Sequence, residues 1–146
     1  MLQFSHQSVI AATPDLVWAT LADISNWPRW TPTVLYAQVQ EPGFVDVGSC
    51  FRIRQPKMLP AVWRITSWAP DREFVWVSSG IGFLATAEHI LSNQDGGTLL
   101  TLRLTLEGVL APLVGCLAGT LAQKYLALEA TGLKRHVESQ CSGKPR

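Results

Sequence analysis

Polar and apolar residues trade places along the chain at two spacings, and the points where one gives way to the other divide it into elements. Residues 3 to 10, Gln3-Phe4-Ser5-His6-Gln7-Ser8-Val9-Ile10, mix the two classes at strand spacing. Thr13-Pro14-Asp15 then supplies an N-cap, a proline at the first helical position and an early acid, which predicts a short helix near 14 to 22. Ser25 or Asn26 can cap a second short helical turn, with Trp27 and Trp30 on one side of it because residues three apart share a helix face. Six more strands are expected near 33 to 40, 47 to 55, 61 to 69, 73 to 79, 83 to 92 and 98 to 107, separated by turn signals such as Glu41-Pro42-Gly43, Ala69-Pro70-Asp71 and Asp95-Gly96-Gly97. Links this short make consecutive strands antiparallel. Beyond Gly108 apolar residues recur every three to four positions, at Leu110, Leu113/Val114, Leu117, Leu121, Tyr125, Leu128, Leu133 and Val137, predicting one long C-terminal helix against the sheet. One domain, residues 1 to 139, is expected, with a flexible polar tail over 140 to 146.

Charges fix which face of the sheet is inside, because strand neighbours alternate sides and an unpaired buried charge is costly. Arg52, Arg54, Arg64, Glu88 and Arg103 point outward in this reading. The residues out of phase with them, Phe51, Ile53, Trp63, Ile65, Ala85, Ala87, His89, Leu100, Leu102, Leu104 and Leu106, then form the inner face. In the strand near 73 to 79 we place Phe74 and Trp76 inward rather than Val75 and Val77. Ala85, Ala87, Gly115 and Gly119 leave room between sheet and helix; they make either a hollow or a close approach of the two layers.

Composition narrows the function classes. The chain is 47% hydrophobic and only 16% charged, with six Trp, so it carries more apolar surface than an ordinary core requires. Twelve basic against 11 acidic residues argue against a nucleic-acid binder that works by neutralising phosphates. Cys50, Cys116 and Cys141 share no paired spacing and follow no secretory segment, which points to a reducing cytoplasm and to neither a disulfide framework nor a zinc site. The uncharged stretch from Gly108 to Gln123 is shorter than the ~20 residues of a spanning helix, so no membrane span is expected.

His89 is the one ionisable residue that the phase argument puts on the inner face of the sheet, and it is the candidate polar contact or acid/base. No carboxylate is expected beside it: Asp23, Glu73, Glu107 and Glu129 fall near element ends or on polar faces. Tyr36 and Tyr125 could offer hydroxyls, and His6 has a weaker claim because its strand alternates poorly. The motifs G-x-S-x-G, H-E-x-x-H, G-x-x-x-x-G-K and G-x-G-x-x-G do not occur, and Gly80-Ile81-Gly82 reads as a turn between strands.

Ala12-Thr13-Pro14 followed by Val17-Trp18, the run Asp23-Ile24-Ser25-Asn26-Trp27-Pro28-Arg29-Trp30, Arg54-Gln55-Pro56 ahead of Trp63-Arg64-Ile65, and His89 ahead of Gly96-Gly97-Thr98 together resemble the START/SRPBCC helix-grip superfamily, in its polyketide cyclase/dehydrase and lipid-transport branch. The resemblance covers about residues 1 to 139 and implies an α+β fold, a seven-stranded antiparallel curved sheet around a long C-terminal helix with two short helices between the first two strands. It also implies an internal cavity for a lipid, polyketide or aromatic molecule, with Trp27 and Trp30 near its wall or entrance and Leu117, Leu121 and Tyr125 on the opposing wall; together with the inner-face residues Phe51, Ile53, Trp63, Trp76 and His89 these are the expected ligand-binding residues. The reading is a cytoplasmic binding module, monomer or weak homodimer, without cofactor, metal or nucleic-acid partner. Two alternatives stay open: a cyclase or dehydratase using His89 with help from Tyr36 or Tyr125, and a ligand-free protein-interaction domain.

Overall fold

Side chains of β1 (Leu2–Ile10) alternate without a break in the computed structural model of the chain, which describes residues 1–142: Leu2, Phe4, His6 and Ser8 are half-buried, while Gln3, Ser5, Gln7 and Val9 are exposed. Helix α1 (Pro14–Leu21) follows with proline in its first turn, as the sequence predicts. Thr13 stands at the N-cap, but its hydroxyl donates to the Asp15 carboxylate rather than accepting from the helix backbone. The second short element is a 3-10 helix, Ile24–Arg29, that starts after Asp23 and not after Ser25 or Asn26. Asn26 lies inside it and donates its side-chain amide to Asp23 at 2.8 Å. Trp27 is anchored there by its indole N–H, which donates to the Leu21 carbonyl at 2.9 Å.

The remaining strands are β2 (Tyr36–Val39), β3 (Cys50–Arg54), β4 (Ala61–Ala69), β5 (Glu73–Gly80), β6 (Phe83–Gln94) and β7 (Gly97–Glu107). They form one antiparallel sheet in the order β1-β7-β6-β5-β4-β3-β2. Two strands are shorter than the pattern suggests, for local reasons. Before β2, Pro32 sits between Thr31 and Thr33, whose hydroxyls bond each other at 2.8 Å, and the Thr33 amide also donates to Thr31. Before β3, Asp46 and Ser49 close a turn through Gly48, whose φ of 94° suits glycine. The inner face holds the residues that charge phasing placed there, and Phe74 and Trp76 both point inward, 0% and 4% exposed. On the outer face Arg103 and Glu88 pair at 3.2 Å.

Helix α2 (Ala111–Ser142) crosses the concave face. Residues 140 to 142, expected in a flexible tail, are helical, and residues 143 to 146 of that tail lie outside the described residues. Three glycines set how the helix sits. A Cβ on Gly115 would come within 2.3 Å of Leu2, one on Gly119 within 3.1 Å of Phe4, and one on Gly132 within 2.1 Å of the Trp30 carbonyl oxygen. At Gly115 the small residue therefore serves close approach to β1, one of the two readings open in the sequence. Gln123 donates to the Ser5 carbonyl at 2.9 Å, and Lys134 donates to the Val9 carbonyl and to Glu138, so α2 is tied along the whole length of β1. Held in this rotation, α2 turns Ala122, Tyr125, Glu129, Ala130, Leu133 and Val137 into the protein. The stripe expected from the sequence is displaced: Leu113 and Leu117 face solvent, 55% and 80% exposed, and Leu121 is half-buried.

Candidate functional site

His89 lies on β6 directly across from Phe74 of β5, and the imidazole stacks on the phenyl ring with centroids 4.1 Å apart and planes within 10°. Trp27 and Trp76 flank the pair at 5.6 and 5.7 Å. The imidazole Nδ1 is 3.3 Å from the Phe74 carbonyl oxygen. A carbonyl only accepts, so Nδ1 carries the proton and Nε2 is left as an acceptor. Only 3% of the residue is exposed, and burial among rings pushes its pKa down to about 4. His89 is therefore neutral across the physiological range.

Facing Nε2 is a group the sequence reading places with solvated residues. Glu129 of α2 is 9% exposed, and its Oε1 lies 3.9 Å from His89 Nε2. Desolvation raises its pKa to about 8, so at neutral pH this is a carboxylic acid. The contact is accordingly no ion pair: a neutral imidazole faces a neutral acid across a distance too long for a hydrogen bond. Among the described residues no hydrogen-bond partner engages the Glu129 carboxyl. The sequence did hold a signal, since Glu129 is four residues from both Tyr125 and Leu133, which belong to the apolar stripe.

Between the sheet and α2 lies a cavity in two adjoining parts that share some of their lining, and the inner one holds this pair. The inner part, about 90 Å³, is lined by Trp27, Val34, Trp76, Ala87, His89, Leu126 and Glu129 among others. The outer part, about 330 Å³, is lined by Leu59, Ala61, Ser78, Phe83, Ala85, Leu106, Val114 and Ala118. Ile53, Gln55, Met58, Trp63, Leu104 and Ala122 border both. Ala85 and Ala87 thus open space, the other reading of small inner-face residues. Arg103, on a strand that borders the inner part, turns its guanidinium to Glu88 on the opposite face of the sheet.

Of the residues expected at the ligand, Trp27, Ile53, Trp63, Trp76, His89 and Tyr125 come together on this cavity. Phe51 is 1% exposed and packs behind it against Trp76. Trp30 is buried beside Trp27 at 5.5 Å and borders a separate surface hollow with Arg29 and His136; its indole N–H has no partner among the described residues. Leu117 points to solvent and Leu121 borders neither part, because the glycine contacts rotate α2 away from the expected stripe. The hydroxyl of Tyr125 donates to the Pro56 carbonyl, which ties the loop between β3 and β4 to α2 and occupies the group expected to assist chemistry. Tyr36 is half-buried and borders neither part, while His6 borders a shallow groove between β1 and α2. Among the described residues no three His, Cys, Asp or Glu side chains come together as a metal site, and no helix is long and apolar enough to cross a membrane.

Residues 1–138 match the family described as polyketide cyclase/dehydrase and lipid transport. The chain belongs to that family. No curated protein sequence matches it. Solved structures similar to this family member include a Thermus thermophilus protein, 18% identical, with a TM-score of 0.77 and coverage of 97% of this chain and 100% of that one. The Zhui aromatase/cyclase from a Streptomyces species is 16% identical, with a TM-score of 0.75 over 96% of this chain and 95% of that one. A Helicobacter pylori protein, 11% identical, reaches a TM-score of 0.78 over 93% and 88% of the respective chains. At these identities the likeness establishes the helix-grip fold.

Proposed function

We propose that this family member binds a small hydrophobic molecule, of lipid, polyketide or aromatic type, between the sheet and α2. The observation that carries the reading is the two-part cavity: a mostly apolar space of about 330 Å³ that adjoins, and shares lining residues with, a smaller one bearing His89 and Glu129. That volume is at the small end of the roughly 300–1,000 Å³ usual for ligand sites, and an apolar lining with a few convergent polar groups is their usual make-up. Apolar contact supplies most of the affinity, at about 25 cal/mol per Å² removed from water, and Trp27, Ile53, Trp63 and Trp76 are the contact residues. Lipid transport fits the same cavity. A cytoplasmic setting belongs to the reading as well, since Cys50 and Cys116 are free thiols.

Native mass spectrometry of the protein as purified, followed by denaturing extraction, tests the proposal. An apolar adduct at unit stoichiometry is expected. A clean apo mass that stays unchanged on adding fatty acids, sterols and flavonoid-like aromatics would sink it and favour a ligand-free interaction domain.

A second reading, a cyclase or dehydratase, is favoured by one observation: two titratable groups whose surroundings push their pKa values in opposite directions face each other at 3.9 Å. His89→Ala separates the two. A binder keeps most of its affinity for the extracted molecule, whereas an enzyme loses most of its turnover.

A further inference from the structure

The narrow end of the cavity presents one hydrogen-bond acceptor and one carboxyl, and their geometry restricts what can sit between them. His89 has its Nδ1 proton committed to the Phe74 carbonyl, so Nε2 can only accept. Glu129 Oε1 stands 3.9 Å from Nε2, beyond direct bonding, and among the described residues nothing else hydrogen-bonds that carboxyl. Both groups border the inner part of the cavity; Glu88 and Arg103 also border it, but there the guanidinium is paired with the Glu88 carboxylate.

We infer that the molecule bound here carries a hydroxyl group at its inner end, which donates to His89 Nε2 and accepts from the Glu129 carboxyl; this inference rests on the cavity-binding reading above. An oxygen seated about 2.8 Å from each atom would subtend about 90° between its two bonds, and a small rotation of the Glu129 side chain opens that angle towards tetrahedral. Other polar ends fit less well. A carboxylate cannot donate to Nε2 and would bring a charge into an apolar site, an ammonium cannot accept from the acid, and a ketone satisfies Glu129 but leaves Nε2 orphaned. The site therefore reads for a phenol or an alcohol on an otherwise apolar body.

The experiment compares 2-naphthol, naphthalene and 2-naphthoate, bodies of one size and shape that differ at a single polar position, by titration calorimetry on the full chain. With the wild type, 2-naphthol is expected to bind about 10-fold or more tightly than naphthalene, the order of one buried hydrogen bond to a group otherwise left unpaired, and 2-naphthoate weakest. Glu129→Leu, which keeps the site apolar, should bring 2-naphthol and naphthalene to within about 3-fold, while Glu129→Gln, which can still donate and accept, should keep most of the preference. Equal wild-type affinities for 2-naphthol and naphthalene overturn the hydroxyl inference and leave the cavity reading standing. Tightest binding of 2-naphthoate overturns the inference too, and absence of binding by all three overturns both.

Discussion

The interior is built differently at its two ends, although the same elements run through both. Beneath the two short helices it is filled with rings: Trp18 packs on Trp68 at 4.9 Å, Trp27 on Trp30 at 5.5 Å, and Phe74 on Trp76 at 5.2 Å. Beneath the start of α2 small and aliphatic side chains dominate the lining, with Trp63 and Phe83 the two rings among them, and the space stays open. Strand β6 passes from one regime to the other, with His89 against the rings, then Ala87, then Ala85 beside the outer cavity. Helix α2 does the same, from Leu133 and Val137 in the filled end to Ala122 and Ala118 in the open one. Side-chain volume along continuous elements, not a break in the backbone, decides where the molecule is solid. The filled end supplies stability and the open end can be kept empty.

The largest expected effect lies in the filled end. Phe74→Ala removes a ring that is 0% exposed and the platform under His89, and should cost about 3–5 kcal/mol in urea unfolding. A loss under about 1 kcal/mol would mean that the rings do not carry the fold.

The boundary between the ends should titrate. Glu129, held at about 8 against an ordinary 4.5, binds more protons folded than unfolded, so stability falls as pH rises between those values. His89, held at about 4 against an ordinary 6.5, binds fewer, so stability rises with pH up to 6.5. The two slopes oppose each other between 4.5 and 6.5, which leaves a net decline from pH 6.5 to 8 of at most about 2 kcal/mol. Glu129→Gln should flatten that decline in unfolding curves taken at successive pH values. An unchanged slope would refute the burial of an acid at this position.

In the open end, Ala122→Leu adds volume where both parts of the cavity meet. Stability should change by less than about 1 kcal/mol, against the roughly 1–3 kcal/mol typical of overpacking a filled core. Binding of 2-naphthol should fall sharply at the same time. The smallest effect belongs to Leu117→Ala, a side chain 80% exposed, for which less than about 0.5 kcal/mol is expected in the same assay.

Legibility follows the same division. Arg52 and Arg54 stand two apart on β3 and Arg64 marks one position of β4, and these charges set the phase that identifies the inner face of both strands. Glu88 and Arg103 do the same for His89, whereas the strand of Phe74 and Trp76 has no such outward charge and its phase rested on a preference for burying the aromatic pair. Helix α2 was harder, because its first half carries apolar residues on more than one face. Leu113, Leu117 and Leu121 look like the buried stripe until the contacts of Gly115 with Leu2 and of Gly132 with the Trp30 carbonyl fix the rotation. Those contacts join residues about a hundred positions apart, which no local period reports. Glu129 was hidden by its charge: a carboxyl on an apolar stripe counts against burial unless its protonation is already known.

The order of the strands also governs when the cavity can come into being. β1 pairs with no strand but β7, and Leu2 stands opposite Leu106. On a ribosome adding about 5–20 residues per second, β1 waits several seconds with both edges unpaired before its partner exists, and α2 arrives later still. Pairings this distant in sequence also make for slow folding, because the loop must close before the contacts repay it. The cavity, walled by β7 and α2 as well as by the earlier strands, cannot close before residues 97 to 142 have been made, and is thus the last part of the molecule to take shape.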